Sequence, residues 1–167
     1  NFQNYDMTTV PQEPTKEKDI VKLMIEYLQN PIHRRFSFNQ ESGYHETIEI
    51  DGYGPIRAKF DTGNGTKASM LVVDKIEVSG KNVKWERKGK KFTSKLRGIS
   101  KPTHIGKITE RPIVYINITF NNMIYTNVPI GLQLEDAAST FLINRDLLTR
   151  FKVSVNPNRK FVLSDWS

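Results

Sequence analysis

From about Glu46 onward, this chain is a run of short β-branched and aromatic segments set between turn residues. That punctuation leaves an antiparallel β domain as the main way to bury its apolar side chains. The segments fall at 46–50, 55–60, 69–78, 82–86, 91–97, 112–120, 123–130, 139–143, 151–155 and 160–164. Ser79-Gly80-Lys81-Asn82 and Asn121-Asn122 have the composition of hairpin turns, because Gly and Asn tolerate positive φ. Asn156-Pro157-Asn158 is a third turn, and only Asp146–Arg150 has the pattern of a short helix after a strand. No internal repeat or low-complexity tract interrupts the series. The expected fold class is all-β.

Residues 1–14 hold Pro11 and Pro14 without periodicity and are expected to be an extended linker or arm, which could also serve a larger assembly. Thr15 can cap a helix ending near Asn30, with Pro31 as the stop. On it Ile20, Leu23, Met24, Tyr27 and Leu28 form one apolar stripe, suited to packing on its own domain or to docking a partner. The expected organisation is an arm at 1–14, a helix and connection at 15–45, and a β domain at 46–167. A chain of 167 residues is long enough for one domain with a sizeable core. It begins at Asn1 rather than Met, which reads as a processed product or a fragment of something longer.

The net charge of +7 is unevenly spread. Between Lys84 and Lys107 lie nine Lys or Arg against one acid, Glu86, leaving sixteen bases against seventeen acids elsewhere. One segment therefore carries the whole imbalance, and a basic arm projecting from a neutral body is expected. Three readings of it stay open: a solvated hairpin that discourages edge pairing, a surface for an acidic protein or peptide, and a nucleic-acid contact. Trp85 and Phe92 are its only aromatic residues of the stacking kind, which is thin support for a single-strand platform.

Much chemistry is excluded by what the chain lacks. With no cysteine there is no disulfide, thiol nucleophile or Cys-based metal site. His33, His45 and His104 are far apart, and none has a metal-ligand spacing. His45-Glu46-Thr47-Ile48-Glu49 starts like a zincin motif, but the second histidine is missing and the segment has strand character. The glycines at 52, 54, 63 and 65 form no phosphate loop, and no G-x-S-x-G elbow is present. No cofactor or metal is expected. No apolar run approaches the ~18–20 residues of a membrane helix, so no membrane partner is expected. The compartment is left as soluble, cytoplasmic or within a viral particle.

Two motifs stand apart. A strand at Ile56–Phe60 runs straight into Asp61-Thr62-Gly63-Asn64-Gly65-Thr66-Lys67-Ala68. About eighty residues later, Thr140-Phe141-Leu142-Ile143-Asn144-Arg145-Asp146-Leu147-Leu148 is a strand entering a short helix. This order resembles the retropepsin-like aspartic proteases, in which a strand ends in Asp-Thr-Gly, a flap follows, and a hydrophobic-hydrophobic-Gly-Arg segment opens a helix. The wording is closest to the bacterial and phage-borne group labelled "ATP-dependent zinc protease-like", with Asp-Thr-Gly-Ala-x-Thr-Ser-Ala, a later Arg-Pro-hydrophobic strand and Leu-Gly-Arg-x-Phe-Leu. Arg111-Pro112-Ile113-Val114 and Ile143–Leu148 answer the last two, and the resemblance covers about residues 46–164. The label's ATP and zinc have no counterpart in these residues.

The resemblance implies a closed β barrel with one short C-terminal helix, to which the N-terminal helix is an addition. It implies Asp61, Thr62 and Gly63 as the catalytic turn, supported by Asn144, Arg145 and Asp146. Two such Asp side chains about 3 Å apart cannot both ionise, so they share one proton and activate water. One chain holds half of that dyad, so activity implies a homodimer and a peptide or protein substrate. Asn144 stands where the family has Gly, and its side chain is expected to crowd the space under the catalytic loop. The flap, at roughly 84–110, would be cationic through Lys88, Lys90, Lys91, Lys95 and Arg97. Two functions follow: an aspartic endopeptidase, or a catalytically silent domain of that type serving as a structural or docking module, for instance in a viral or phage particle.

Overall fold

The computed structural model describes residues 17–29, 39–100, 103–104, 107–108, 111–134 and 139–164. They fall into two units, helix α1 (Glu17–Gln29) and a β domain that starts at Asn39. On α1, Leu23 and Tyr27 are half-buried while Ile20, Val21, Met24 and Ile25 stay exposed. The Thr15 cap and the stop at Pro31 lie outside the described residues, as does the arm at 1–14. No helix among the described residues is long and apolar enough to cross a membrane.

The β domain runs β1 (Gln40–Gly43), β2 (His45–Ile50), β3 (Gly54–Phe60), β4 (Ser69–Val73), β5 (Lys75–Ser79), β6 (Asn82–Arg87) and β7 (Lys90–Ser100). It continues through β8 (Thr103–His104), β9 (Lys107–Ile108), β10 (Arg111–Phe120), β11 (Met123–Leu134), β12 (Phe141–Ile143), α2 (Arg145–Phe151) and β13 (Val153–Asn156). Six strands close a barrel in the order β11-β4-β12-β3-β2-β10, with β10 pairing back onto β11. β7, β6 and β5 extend from β10 as an antiparallel wing. β10 serves three neighbours because its ladder to β11 shifts register at Asn117, a bulge whose side chain accepts the N–H of Asn127. Asn127 itself sits at φ 52, so the long hairpin bends there and curls round the barrel.

Alternation along the strands explains what fills it. Ile48, Ile50, Ile56, Ala58, Phe60, Leu71, Val73, Ile118, Ile130, Leu132 and Phe141 all point inward and are buried. Each large side chain removed from water there contributes roughly 1.5–3 kcal/mol. α2 closes one end with Leu147, Leu148 and Phe151, and Phe151 sits 4.7 Å from Phe120 and 5.9 Å from Phe60, centroid to centroid. Phe60 is the residue immediately before Asp61, so this aromatic cluster anchors the strand that delivers the Asp-Thr-Gly turn.

Four segments differ from their sequence patterns. The expected strand at 69–78 is two, because the Asp74 N–H bonds Glu86 O and its carboxylate caps the Lys88 N–H, turning the chain from barrel to wing. The expected strand at 151–155 starts only at Val153, since α2 continues to Phe151 and Lys152 ends it in the left-handed region at φ 55. β1, of composition Gln-Glu-Ser-Gly, carries no strand signal and is extended only because β13 pairs with it in parallel. The segment at 160–164 joins no ladder.

That last segment is a strap held by a buried charge. Glu46 is 0% exposed, and its carboxylate accepts N–H groups from Gly43, Val162, Leu163 and Ser164, with the Ser164 hydroxyl at 2.8 Å. The Tyr44 and His45 N–H groups donate to Arg159 and Lys160 carbonyls, and a Cβ on Gly43 would lie 2.3 Å from Lys160 O. Only glycine fits there. A buried carboxylate is tolerable because every lone pair faces a donor. Glu46→Gln places an NH2 among those donors, and we expect it to destabilise the domain by roughly 2–4 kcal/mol. Urea unfolding of the two proteins measures the difference, and Glu46→Gln should also speed amide exchange at Val162–Ser164 first.

Candidate active site

β3 and β12 lie side by side in parallel, with Phe60 opposite Ile143. Parallel pairing brings both C-terminal ends to the same edge of the barrel, so the Asp61 turn and the Asn144-Arg145-Asp146 junction meet there. The meeting is hydrogen-bonded: Asp61 N–H donates to Ile143 O at 3.0 Å, and Arg145 N–H to Asn64 O at 2.9 Å. Within the turn, Gly63 N–H donates to Asp61 Oδ1 at 3.0 Å and Asn64 N–H to Asp61 O at 3.1 Å. The other Asp61 oxygen has no hydrogen-bond partner among the described residues. Asp61 is half-buried, while Thr62 and Gly63 are exposed at the rim.

Asn144 does not crowd this loop; it builds it. It is 2% exposed and sits at φ −81, ordinary extended backbone, so the positive φ for which glycine is suited is not required. Its Nδ2 donates to Thr66 O at 2.8 Å, and its Oδ1 accepts from Ser69 Oγ at 3.1 Å and from Leu147 N–H at 3.0 Å. The last bond makes Asn144 the N-cap of α2. Its own N–H donates to Ser69 Oγ at 3.0 Å. The expected crowding fails because the space next to β12 is lined by the polar groups an amide needs.

Arg145 lies over the loop. A Cβ on Gly65 would meet its guanidinium nitrogen at 2.1 Å, so the absence of a side chain at 65 is what lets the guanidinium rest there. Asp146 is exposed in the first turn of α2, where its charge suits the helix N-terminus.

Beside the loop runs an open cleft of about 760 Å³, lined by Asn64, Thr66–Met70, Arg97–Ser100, Arg111, Ile113, Gly131 and Leu142. It carries three cations, Lys67, Arg97 and Arg111, and no acid. The Nε of Arg111 is buried without a partner. A second concavity, about 780 Å³, lies on the wing between Asp74–Glu77, Lys84–Glu86 and Lys91–Thr93. It has mixed charge and includes no residue of the Asp61 loop, so the chemistry points to the first.

β6, the first part of the basic segment, packs onto the core instead of projecting. Val83 and Trp85 of β6 are buried, Trp85 stacks on Phe92 at 4.3 Å, and Arg87 is 7% exposed with its guanidinium donating to Val72 O. Cross-strand neighbours neutralise part of the charge: Glu86 stands opposite both Lys75 and Lys91, and Glu77 opposite Lys84. Nor do the five flap cations form one surface. Lys88 and Lys90 sit at the far turn, where Lys90 Nζ reaches Tyr53 O at 2.7 Å, and Lys91 lines the second concavity. Lys95 faces Asn82, and of the five only Arg97 reaches the cleft, about 23 Å along β7 from Lys90 at ~3.3 Å per residue. Arg111 had no separate signal in the sequence beyond its place in Arg-Pro; its role as a cleft cation depends on β10 standing next to β7. Among the described residues no cluster of three His, Asp or Glu side chains could hold a metal ion, while His33 and the His104 side chain lie outside them.

No family model and no curated protein matches the chain. Among solved structures, the domain is similar to a Legionella pneumophila protein of unknown function assigned to the family DUF785. That likeness has a TM-score of 0.61 at 24% identity and covers 75% of this chain and 99% of the other. It shows the fold of the barrel and nothing of its activity.

Because Asn144 joins the loop, β12 and α2, Asn144→Gly should destabilise the domain by roughly 2–4 kcal/mol, the sum of a lost cap and unsatisfied groups at Thr66 and Ser69. Asn144→Asp keeps the cap acceptor but sets a buried carboxylate oxygen against Thr66 O, so it should cost at least as much. Denaturant unfolding ranks the three proteins, and amide exchange at Asn64 and Thr66 reports the loosening of the loop.

Proposed function

We propose that this domain is an aspartic endopeptidase of the retropepsin type, active as a homodimer with one Asp61 from each chain. The observation that carries the reading is the Asp61 turn itself. Its carboxylate is held by Gly63 N–H through one oxygen, leaves the other open, and stands on a loop locked to β12 whose later residues, Asn64 and Thr66, line a cleft. Exposed Thr62 and Gly63 suit a surface that a second copy covers.

The chemistry runs on two carboxyl groups. One Asp61 carboxylate takes a proton from a bound water as its oxygen attacks the scissile carbonyl carbon. The partner's carboxylic acid gives its proton to the carbonyl oxygen, forming a neutral gem-diol. Collapse of the diol breaks the C–N bond, with a proton passing to the leaving nitrogen and another returning to a carboxylate. The products are a free acid and a free amine. Lys67, Arg97 and Arg111 suit a peptide with acidic side chains in the cleft.

A second reading rests on the same turn. The bond from Gly63 N–H to Asp61 Oδ1 closes an Asx turn within one chain, which is reason enough to keep Asp61 in a docking module without catalysis.

One substitution separates them. Asp61→Asn should abolish cleavage of a random peptide pool while changing unfolding free energy by less than about 0.5 kcal/mol, as surface changes usually do. Specific activity of the wild type should fall on dilution as dimers dissociate, with sedimentation following the same curve. A chain that stays monomeric at high concentration, or cleavage that survives Asp61→Asn, rules out the endopeptidase.

A further inference from the structure

On the outer face of the barrel, at the strand that leads into the Asp61 loop, the strap meets β2 and β3. Arg57 Nε donates to His45 Nδ1 at 2.8 Å, and Nη2 of the same guanidinium approaches that nitrogen too. A guanidinium normally takes a carboxylate, yet here its fork rests on a neutral imidazole and no salt bridge to Arg57 exists among the described residues. Lys59 stands opposite His45 across the β2–β3 ladder, and Lys160 of the strap accepts the His45 N–H through its carbonyl. Both lysines are exposed, and neither has an ion-pair partner among the described residues. Phe161 and Tyr44 wall the group: the Arg57 guanidinium lies 5.4 Å from the Phe161 ring centre, and the Tyr44 and His45 rings meet edge-on at 4.9 Å.

Burial chiefly, and then the charges of Arg57, Lys160 and Lys59, hold His45 below the usual histidine range. With Nδ1 accepting from Arg57, the neutral ring carries its proton on Nε2, which is a further donor. The one acid next in sequence, Glu46, points the other way into the core and is occupied by the strap. Four donor groups from three segments therefore meet with no paired acid among the described residues, on backbone that Glu46 and Gly43 hold rigid.

We propose that this cluster is a binding site for a phosphate group. The Nε–Nη2 edge of Arg57 is already taken by His45, which leaves its outer edge to face an anion. What remains is that outer edge, the Nε2–H and two ammonium groups, a spread of donors that suits a tetrahedral oxyanion with several acceptor oxygens. The phosphate can be free or part of a nucleic-acid backbone, and the two sources differ in how they bind.

NMR titration of the full chain with inorganic phosphate, followed at the His45 imidazole, tests the site. Phosphate should raise the titration midpoint of His45, since a neighbouring anion favours the protonated ring, and Arg57→Gln should weaken phosphate binding about tenfold or more. Lys59→Gln and Lys160→Gln, at exposed positions that leave the fold intact, should each weaken it less. A short oligothymidylate that binds more tightly than phosphate, and loses that binding in Arg57→Gln and in high salt, makes nucleic acid the source; equal or weaker binding makes it free phosphate. The proposal is overturned if neither ligand moves His45, if Lys59→Gln, Lys160→Gln and Arg57→Gln all bind as the wild type does, or if a glutamate-rich peptide moves His45 while phosphate does not. None of these outcomes depends on peptidase activity, and all can be read in Asp61→Asn.

Discussion

A single buried amide holds the candidate site together. Asn144 ties the end of β12, the loop after Asp61 and the first turn of α2 through five hydrogen bonds, counting those of its own backbone N–H and carbonyl. Burying an amide without partners costs several times what one hydrogen bond returns, so the arrangement is stable only when all partners are in place. Ser69 and Thr66 are those partners, and both belong to the segment that leaves the Asp-Thr-Gly turn. The position of Asp61 is thus set from behind, by a residue that itself need not touch any substrate.

Glu46 does for the strap what Asn144 does for the loop. Its carboxylate collects backbone donors from two distant stretches of chain and fixes a strap that no ladder would hold. Because the strap is fixed, Lys160 and Phe161 are delivered to His45 and Arg57, more than a hundred positions away in sequence. Both devices use one polar side chain in the interior, with its hydrogen-bonding atoms satisfied by backbone groups and a serine hydroxyl, to place surface chemistry precise enough to matter. In each case the polar group is also a test of the fold, since a change of register would leave it unsatisfied.

Charge shows how much depends on pairing. The run from Lys84 to Lys107 is strongly cationic in sequence, yet in the sheet its β6 and β7 residues alternate sides and meet Glu77 and Glu86 across the ladder. Cations that look contiguous are thereby sent to opposite ends of an 11-residue strand, and Arg97 alone among the five joins the loop cleft. The cleft's other cations, Lys67 and Arg111, come from segments with no excess of charge. A local tally of charge therefore misjudged where the positive potential lies, because strand pairing, rather than sequence proximity, sets which charges are neighbours.

The alternation of apolar residues and the turn chemistry of Gly80, Asn121 and Asn122 were enough by themselves to define an all-β domain, since period-2 burial and positive φ are local demands that local sequence must meet. The juxtaposition of Asp61 with Asn144–Asp146 was legible too, through the order of two motifs. Other features were not. β1 has no strand signal because its only reason to be extended is β13; Glu46 reads only as part of a strand, and the donors that satisfy its carboxylate come from the strap; and Asn144 reads as a misfit until Ser69 and Thr66 surround it. Each of these depends on partners more than seventy positions away, and only the closed barrel brings those partners within hydrogen-bonding distance.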